Sequence, residues 1–475
     1  MQTELYIGGE WRPASDGGTF PIEDPSTEKV IAEVASATVE DVTMAVDIAH
    51  AAGVEWAKRK PRERAEVLRR SWERLTSRRE QIAECIVREN GKALPDAYGE
   101  TDYAIEFFRW YAEEAVRNYG EILTSPSGGN RIVVLSQPIG VSVLVTPWNY
   151  PAAMATRKIA PAIAAGCPVI LKPASDTPLT ALLVAEILTE AGVPPGVMNV
   201  VPSRRSGEVG GAMLHHPLVR KLSFTGSTEV GRALLREASD CVVNCSMELG
   251  GNAPFLIFDD ADIDAAVRGA MVAKMRNGGE ACTAANRFYA HEGVYDEFTE
   301  KFAAAMAAMK VGPGLEPGVE LGPMVNAWAI KDIDRLVEDA KSKGSNVLTG
   351  GAPLDRIGHY YPPTVLGSVP GEADILKEEV FGPVAPVVSF SDDEEVIAAA
   401  NDTEYGLVSY LYTGSLKRGM AVSARLDAGM IGLNRGLVSD PAAPFGGTKQ
   451  SGLGREGSHE GMMEYMETKY IATDW

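Results

Sequence analysis

A chain of 475 residues is too long for one hydrophobic core, since single cores stop growing near ~250 to 300 residues, so two or three domains are expected. An apolar fraction of 45% and a charged fraction of 23%, with 48 Gly and 29 Pro spread along the chain, exclude disorder, collagen-like repeats and small disulfide scaffolds. The 65 acidic and 45 basic side chains leave a formal charge of -20, which repels phosphate backbones and anionic lipid and excludes nucleic acid and membrane as expected partners.

After an opening hairpin-like segment, apolar spacing predicts helices over residues 42–56, the charged stretch 62–87, and 103–119 with its aromatic face. Residues 131–145, RIVVLSQPIGVSVLV, alternate as β-branched strands do, and Pro138 with Gly140 divides them into two consecutive strands. From there to Ser246, strand-like runs (VSVLV, PVIL, MNVV, KLSF, CVVNCSM) alternate with helical runs opening at Pro151, Pro178, Gly207 and Ser227. Such a string of βα units predicts a doubly wound parallel sheet that binds a nucleotide at the carboxyl ends of its strands. A second alternating block runs from PFLIF at Pro254 through a helix over 263–275, a strand over 287–290 and helices near Tyr295 and Ala327, and predicts a second α/β domain. The tail from Phe445 is Gly-rich, then helical, and ends in KYIATDW, a strand that cannot be buried alone and is expected to pair with another subunit.

Five cysteines form an odd set with no CxxC pair and no Cys/His run at zinc spacing, so no metal site is expected and the chain reads as reduced and cytoplasmic. Glu4, Glu10 and Arg12 interrupt any signal-peptide pattern, and the longest apolar stretch, 159–171, contains Pro161, Gly166 and Pro168 and falls short of the ~20 residues that span a bilayer. The pattern GxGxxG occurs at Gly452–Gly457, but no strand precedes it. Gly226–Gly231 is better placed, between a strand and a helix whose free N–H groups attract an anion, although an ordinary βα turn would look the same.

Cys282 stands in RNGGEACTAANR, between two arginines and ahead of a helix-like stretch, a setting expected to stabilise the nucleophilic thiolate. Cys85, Cys167, Cys241 and Cys245 sit in plain apolar runs and read as buried and inert. Glu248, in SMELGGN, ends a strand beside two glycines, which would let a carboxylate stand in a cleft with room for water; alone, it would equally suit a turn.

TPWNYP at Thr146, LKPASDTP at Leu171, FTGSTEVG at Phe224, MELGG at Met247, the Cys282 loop, EEVFGPV at Glu378 and PFGGTKQSGLGRE at Pro444 follow one another in order. With this set the chain resembles the aldehyde dehydrogenases from about Tyr6 to Tyr470, and CSMELGGNAPFLIFDDADIDAA is most similar to their succinate-semialdehyde branch. The resemblance implies an aldehyde dehydrogenase-like α/β fold of two Rossmann-like domains plus a small β oligomerisation element. Residues 1–119 and 139–247 would bind NAD(P), 248–444 would form the catalytic domain, and 120–138 with 445–475 would make the oligomerisation element. It implies a homodimer or homotetramer with contacts at 130–137 and the C-terminal strand.

The resemblance further implies that Cys282 attacks an aldehyde, that the Asn149 side chain and the Cys282 N–H hold the oxyanion, and that Glu248 activates water against the resulting thioester. Trp148, Asn149, Lys172, Pro173, Ala174, Ser175, Gly226, Ser227, Leu249, Glu379 and Phe381 match cofactor positions, while Arg157, Arg276 and Ser439 match a carboxylate-binding set. A small aldehyde bearing a carboxylate is the substrate these imply. Ser175 stands where NAD-preferring relatives carry Glu, so NADP is expected to be preferred and NAD to be used less well; strand alternation would point Asp176 away from that pocket. Glu280 is a second carboxylate that could share the proton work, and Ala284 leaves no neighbouring thiol for a disulfide with Cys282. Two other readings remain open: a cofactor-free hydrolase built on Cys282, Glu248 and Lys172, or a catalytically idle binding protein.

Overall fold

A computed structural model describes residues 2–474. Five parallel strands, Val141–Val145, Val169–Lys172, Met198–Val200, Val219–Thr225 and Asn244–Glu248, form the centre of an eight-stranded sheet. Their near-continuous Val, Ile and Leu reflect burial on both faces, which parallel sheets require because crossover helices cover each side. Strand Val141–Val145 lies in the middle, with 169–172 and 198–200 on one side and 219–225 and 244–248 on the other. The order therefore reverses beside Val141–Val145, and a crevice opens there at the carboxyl ends of the strands.

Helix Pro151–Ala165 packs under that crevice and is buried along its whole length. Pro151 at its first turn suits the helix start, where an N–H would have no partner, and Gly166, at φ 102°, ends it in the left-handed conformation. Two cations, Arg157 and Lys158, are buried within this helix and require acidic partners.

A second sheet of seven strands runs in the order 346–349, 364–367, 384–390, 285–291, 253–257, 408–412 and 430–433, with only the first antiparallel. A third, fully antiparallel, has three strands: Met466–Thr473 pairs with Arg131–Pro138, which pairs with Glu121–Thr124. Ile122, Leu123, Leu135, Tyr470 and Ile471 stand exposed on it.

Several expected boundaries shift. The stretch 62–87 is two helices, Pro61–Ser77 and Arg79–Asn90, because Arg78 leaves helical geometry at φ -108°, ψ 15°. The helix expected from residue 103 begins at Leu94, where a proline in the first turn marks the start. The tail does not belong wholly to the third sheet. Gly452–Leu453 joins the first sheet beside Met247 and Glu248, and only the last strand reaches the third. Gly452, at φ 140°, permits this approach, since a Cβ there would collide with the Met247 carbonyl. The GxGxxG pattern thus serves backbone packing. Cys241 is exposed and Cys245 half-buried, against the expectation that both are interior, because Cys241 lies in the turn after helix Thr228–Ser239.

Candidate active site

At the strand-order reversal lies a cavity of about 290 Å³. Trp148 and Asn149, Gly226 and Ser227, and Leu249 line it from loops that follow three neighbouring strands of the first sheet; Glu379 and Phe381 come from the second domain. Arg157, Arg276, Ser439 and Cys282 line the same space. Residues as far apart in sequence as Trp148 and Ser439 thus face one chamber.

Lys172, Pro173, Ala174 and Ser175 are not among its lining residues. Lys172 ends strand Val169–Lys172, and the other three open the loop after it. The Lys172 ammonium has only the Pro173 carbonyl, at 3.3 Å, as a hydrogen-bond acceptor, and burial, opposed by Asp176, lowers its pKa to about 8. Strand alternation cannot orient Asp176, because the strand stops at Lys172; instead its carboxylate accepts from the Asn326 amide at 3.4 Å. The separation of Lys172 from the chamber also removes the Cys282, Glu248 and Lys172 hydrolase set, since its three members do not converge.

A nicotinamide dinucleotide fits the residues present. Gly226 has no side chain to block approach, Ser227 caps helix Thr228–Ser239 by accepting the Val230 N–H, and the free N–H groups of that turn attract an anion. Trp148 and Phe381 meet edge to face at 5.4 Å. Glu379 accepts the Gly251 N–H at 2.9 Å, and burial raises its carboxyl to about 7.

Cys282 lies in a tight turn and is followed by strand Ala285–His291, not by a helix. Its thiol is pushed up to about 12, because burial outweighs the attraction of Arg157 and Arg276 and is reinforced by Glu379 and Glu248. The expected resting thiolate is therefore corrected to a thiol. Of the two arginines flanking it in sequence, Arg287 is turned away, its guanidinium donating to the carbonyls of Asn252, Ala399 and Ala400. Alkylation of Cys282 by iodoacetamide should accordingly accelerate about tenfold per pH unit from pH 7 to 9, as thiolate forms; a plateau below pH 8 would contradict this burial-dominated thiol.

The Asn149 amide donates one N–H to the Glu280 carbonyl at 3.0 Å and keeps the other for an incoming oxygen. Glu280 Oε1 accepts the N–H of Val325, itself a lining residue of the chamber, at 3.2 Å, and burial raises the carboxyl to about 8. Its backbone carbonyl meets the Asn149 amide. Glu248 is buried behind the chamber wall, with one carboxylate oxygen unpartnered. Burial first, and the neighbouring Glu456 second, hold its carboxyl well above the usual range.

Arg157 and Arg276 differ in a way the sequence did not show. Arg157 is ion-paired to Glu456 at 2.7 Å and lies 4.1 Å over the Phe445 ring, and Lys158 pairs with the same carboxylate. It already has a carboxylate partner, which it shares with Lys158. Arg276 donates to Thr283 Oγ1 at 3.3 Å and sits 5.6 Å from the Tyr150 ring, with no carboxylate in ion-pair range among the described residues. Asp96 acts on this half-buried guanidinium from beyond ion-pair distance, and a cation lining a chamber without a direct partner attracts an anion from outside. Glu456 escaped notice, although two cations in the otherwise apolar MATRKIAPAIAAG were a signal that a buried acid must exist.

The model of the aldehyde dehydrogenase family matches residues 11–471. The chain belongs to the aldehyde dehydrogenase family. A succinate-semialdehyde dehydrogenase of Paenarthrobacter nicotinovorans is 53% identical over 93% of this chain and 98% of its own length. A glutarate-semialdehyde dehydrogenase of Pseudomonas putida is 47% identical over 99% of this chain and 98% of its own. The crystal structure of an Escherichia coli NADP dependent enzyme superposes with a TM-score of 0.98 at 44% identity, covering 100% of this chain and 98% of that one. In this aldehyde dehydrogenase, as expected, two parallel α/β sheets and a small antiparallel one make up the α/β fold. No described helix is long and apolar enough to cross a membrane.

Proposed function

We propose that this aldehyde dehydrogenase oxidises succinic semialdehyde to succinate, using NADP in preference to NAD. The observation that carries the substrate is Arg276, a half-buried cation that no carboxylate among the described residues reaches within ion-pair distance, in the chamber that also holds Cys282 and Ser439. A carboxylate on the aldehyde neutralises it through charge-assisted hydrogen bonds, with the Ser439 hydroxyl as a further donor. Arg157, already paired with Glu456, shapes the wall and contributes N–H groups.

The residues divide the chemistry. The Cys282 sulfur bonds to the aldehyde carbon and its proton departs, giving a hemithioacetal oxyanion held by the free N–H of the Asn149 amide and by the Cys282 backbone N–H. The nicotinamide dinucleotide, when bound, supplies the hydride acceptor. Oxidation leaves an acyl thioester on Cys282. Glu248, swung from behind the wall, takes a proton from water; the hydroxide adds to the carbonyl, the carbon–sulfur bond breaks, and the thiol and succinate are released. Gly446 leaves room beside the Glu248 carboxylate, where a Cβ would stand 2.9 Å from Oε1.

Cofactor preference rests on Ser175 and Lys172. Asp176 accepts from Asn326 while its charge still acts on Lys172, and the small Ser175 hydroxyl stands where a Glu would repel a 2′-phosphate, so the ammonium and the hydroxyl favour that phosphate. We also propose the division into a cofactor domain (1–119 and 139–247), a catalytic domain (248–444) and an oligomerisation element of 120–138 with the final strand. Homodimers or homotetramers would cover the apolar side chains exposed on the third sheet.

Reduced-cofactor absorbance tests the proposal. With NADP, kcat/KM should be at least ~100-fold higher for succinic semialdehyde than for butanal, and about 10-fold or more higher than for glutaric semialdehyde, whose extra methylene must be accommodated. Ser175→Glu should lower NADP efficiency by about 10-fold or more and spare NAD. Equal use of butanal would end the carboxylate reading, a preference for the five-carbon substrate would move the assignment, and an NAD-preferring wild type would overturn the cofactor choice.

A further inference from the structure

The backbone and the side chain of Asn149 are both tied to the nucleophile loop, through one residue. The Asn277 side-chain amide donates to the Asn149 carbonyl at 3.1 Å and to the Glu280 carbonyl at 2.8 Å. That Glu280 carbonyl also accepts the Asn149 side-chain amide at 3.0 Å. These bonds close a ring anchored two residues before Cys282. Asn277 is itself fixed: it is buried, takes the left-handed conformation at φ 58°, ψ 35°, and donates its backbone N–H to Asp96 Oδ2 at 3.0 Å.

A second hold comes from behind. The buried Lys92 ammonium donates to the Asn149 carbonyl at 2.7 Å and pairs with Glu100 at 2.5 Å. The other Glu100 oxygen accepts the N–H groups of Ala152 and Ala153, in the first turn of helix Pro151–Ala165, at 2.8 and 3.2 Å. The carboxylate thus satisfies orphan N–H groups of the helix that follows Asn149 directly.

We propose that Asn277 is a positioning residue that sets the oxyanion-binding amide of Asn149 against Cys282, with the Lys92–Glu100 pair holding the segment from behind. The inference rests on the reading of Asn149 as oxyanion donor given above. A terminal amide has a broad, nearly two-fold torsion, and turning it over would present an oxygen to an oxyanion. The Glu280 carbonyl selects the orientation with nitrogen toward the loop, and Asn277 holds that carbonyl in place. A donor fixed before reaction needs no reorganisation when charge develops.

Asn277→Gly is the test, because glycine keeps the left-handed backbone and removes only the amide. Turnover should fall about 10- to 100-fold with little change in KM, somewhat less than the loss on removing an oxyanion donor itself. Alkylation of Cys282 by iodoacetamide, a displacement that develops no oxyanion, should stay within about twofold of wild type. On an Asn149→Ala background, Asn277→Gly should cost less than about twofold more, since it acts through Asn149. Alkylation falling in step with turnover, or a double variant losing the product of the two single effects, would overturn the inference by showing general damage to the loop. Unimpaired Asn149→Ala would instead sink the oxyanion reading, while a crippled Asn149→Ala beside a fully active Asn277→Gly would sink this inference alone. If Asn277→Gly does not fold, Asn277→Asp, isosteric and also tolerant of the left-handed region, must give the same pattern with an acceptor in place of the donor.

Discussion

Cys282→Ala should lower aldehyde oxidation by at least ~10⁴-fold, whereas Glu248→Gln should release one equivalent of NADPH per subunit in a burst and then stall. The two side chains serve successive steps, so their losses separate in time: the first variant never forms the carbon–sulfur bond, and the second forms it and cannot hydrolyse it. Steady-state turnover of Glu248→Gln should fall about 10²- to 10⁴-fold, the usual reach of a general base, with an acylated subunit visible by intact mass. Burial and Glu456 raise the Glu248 carboxyl above the ordinary carboxylate range, and it must be ionised to act as a base. Deacylation should therefore quicken as pH rises, and that rise should be absent in Glu248→Gln. Full turnover in Glu248→Gln would require another base, and would move that role to Glu280.

Arg276→Ala should cut kcat/KM for succinic semialdehyde by about 100-fold, equivalent to ~3 kcal/mol at one factor of ten per 1.4, and leave butanal within about threefold. The asymmetry follows from charge: only the substrate with a carboxylate loses a partner. Arg276→Lys keeps the charge but loses the fork and should fall between the two. Arg157→Ala should behave differently, because it strips Glu456 of one of two buried cations and should destabilise the fold by about 3–5 kcal/mol. A measured substrate ratio that survives Arg276→Ala would remove that residue from the carboxylate site.

Local periodicity and ordered motifs carried the reading of the fold a long way. The parallel strands of the first sheet are continuous apolar runs, a pattern that survives without knowledge of neighbours. Short strands such as Asn346–Thr349 and Thr364–Gly367 hold four residues each and are separated by an irregular loop, so nothing local marks them. In the site, the motifs named the residues that meet in the chamber but not their states. The protonation of Cys282 depends on how much of the folded chain covers it, and the neutralisation of Arg157 depends on Glu456, nearly 300 positions away. The direction taken by Asp176 depends on Asn326, another distant partner. Each is a property of tertiary encounter that spacing does not encode.

The docking of residues 445–473 has a consequence for how activity arises during synthesis. Gly452–Leu453 lies along the strand that ends in Glu248, Glu456 pairs with both Arg157 and Lys158, and Met466–Thr473 completes a sheet begun at Glu121. The last strands to leave the ribosome therefore supply the neighbour of the Glu248 strand and the one acid that two buried cations share, so a chain clipped before Phe445 should fold poorly around the chamber although it retains Cys282 and Asn149.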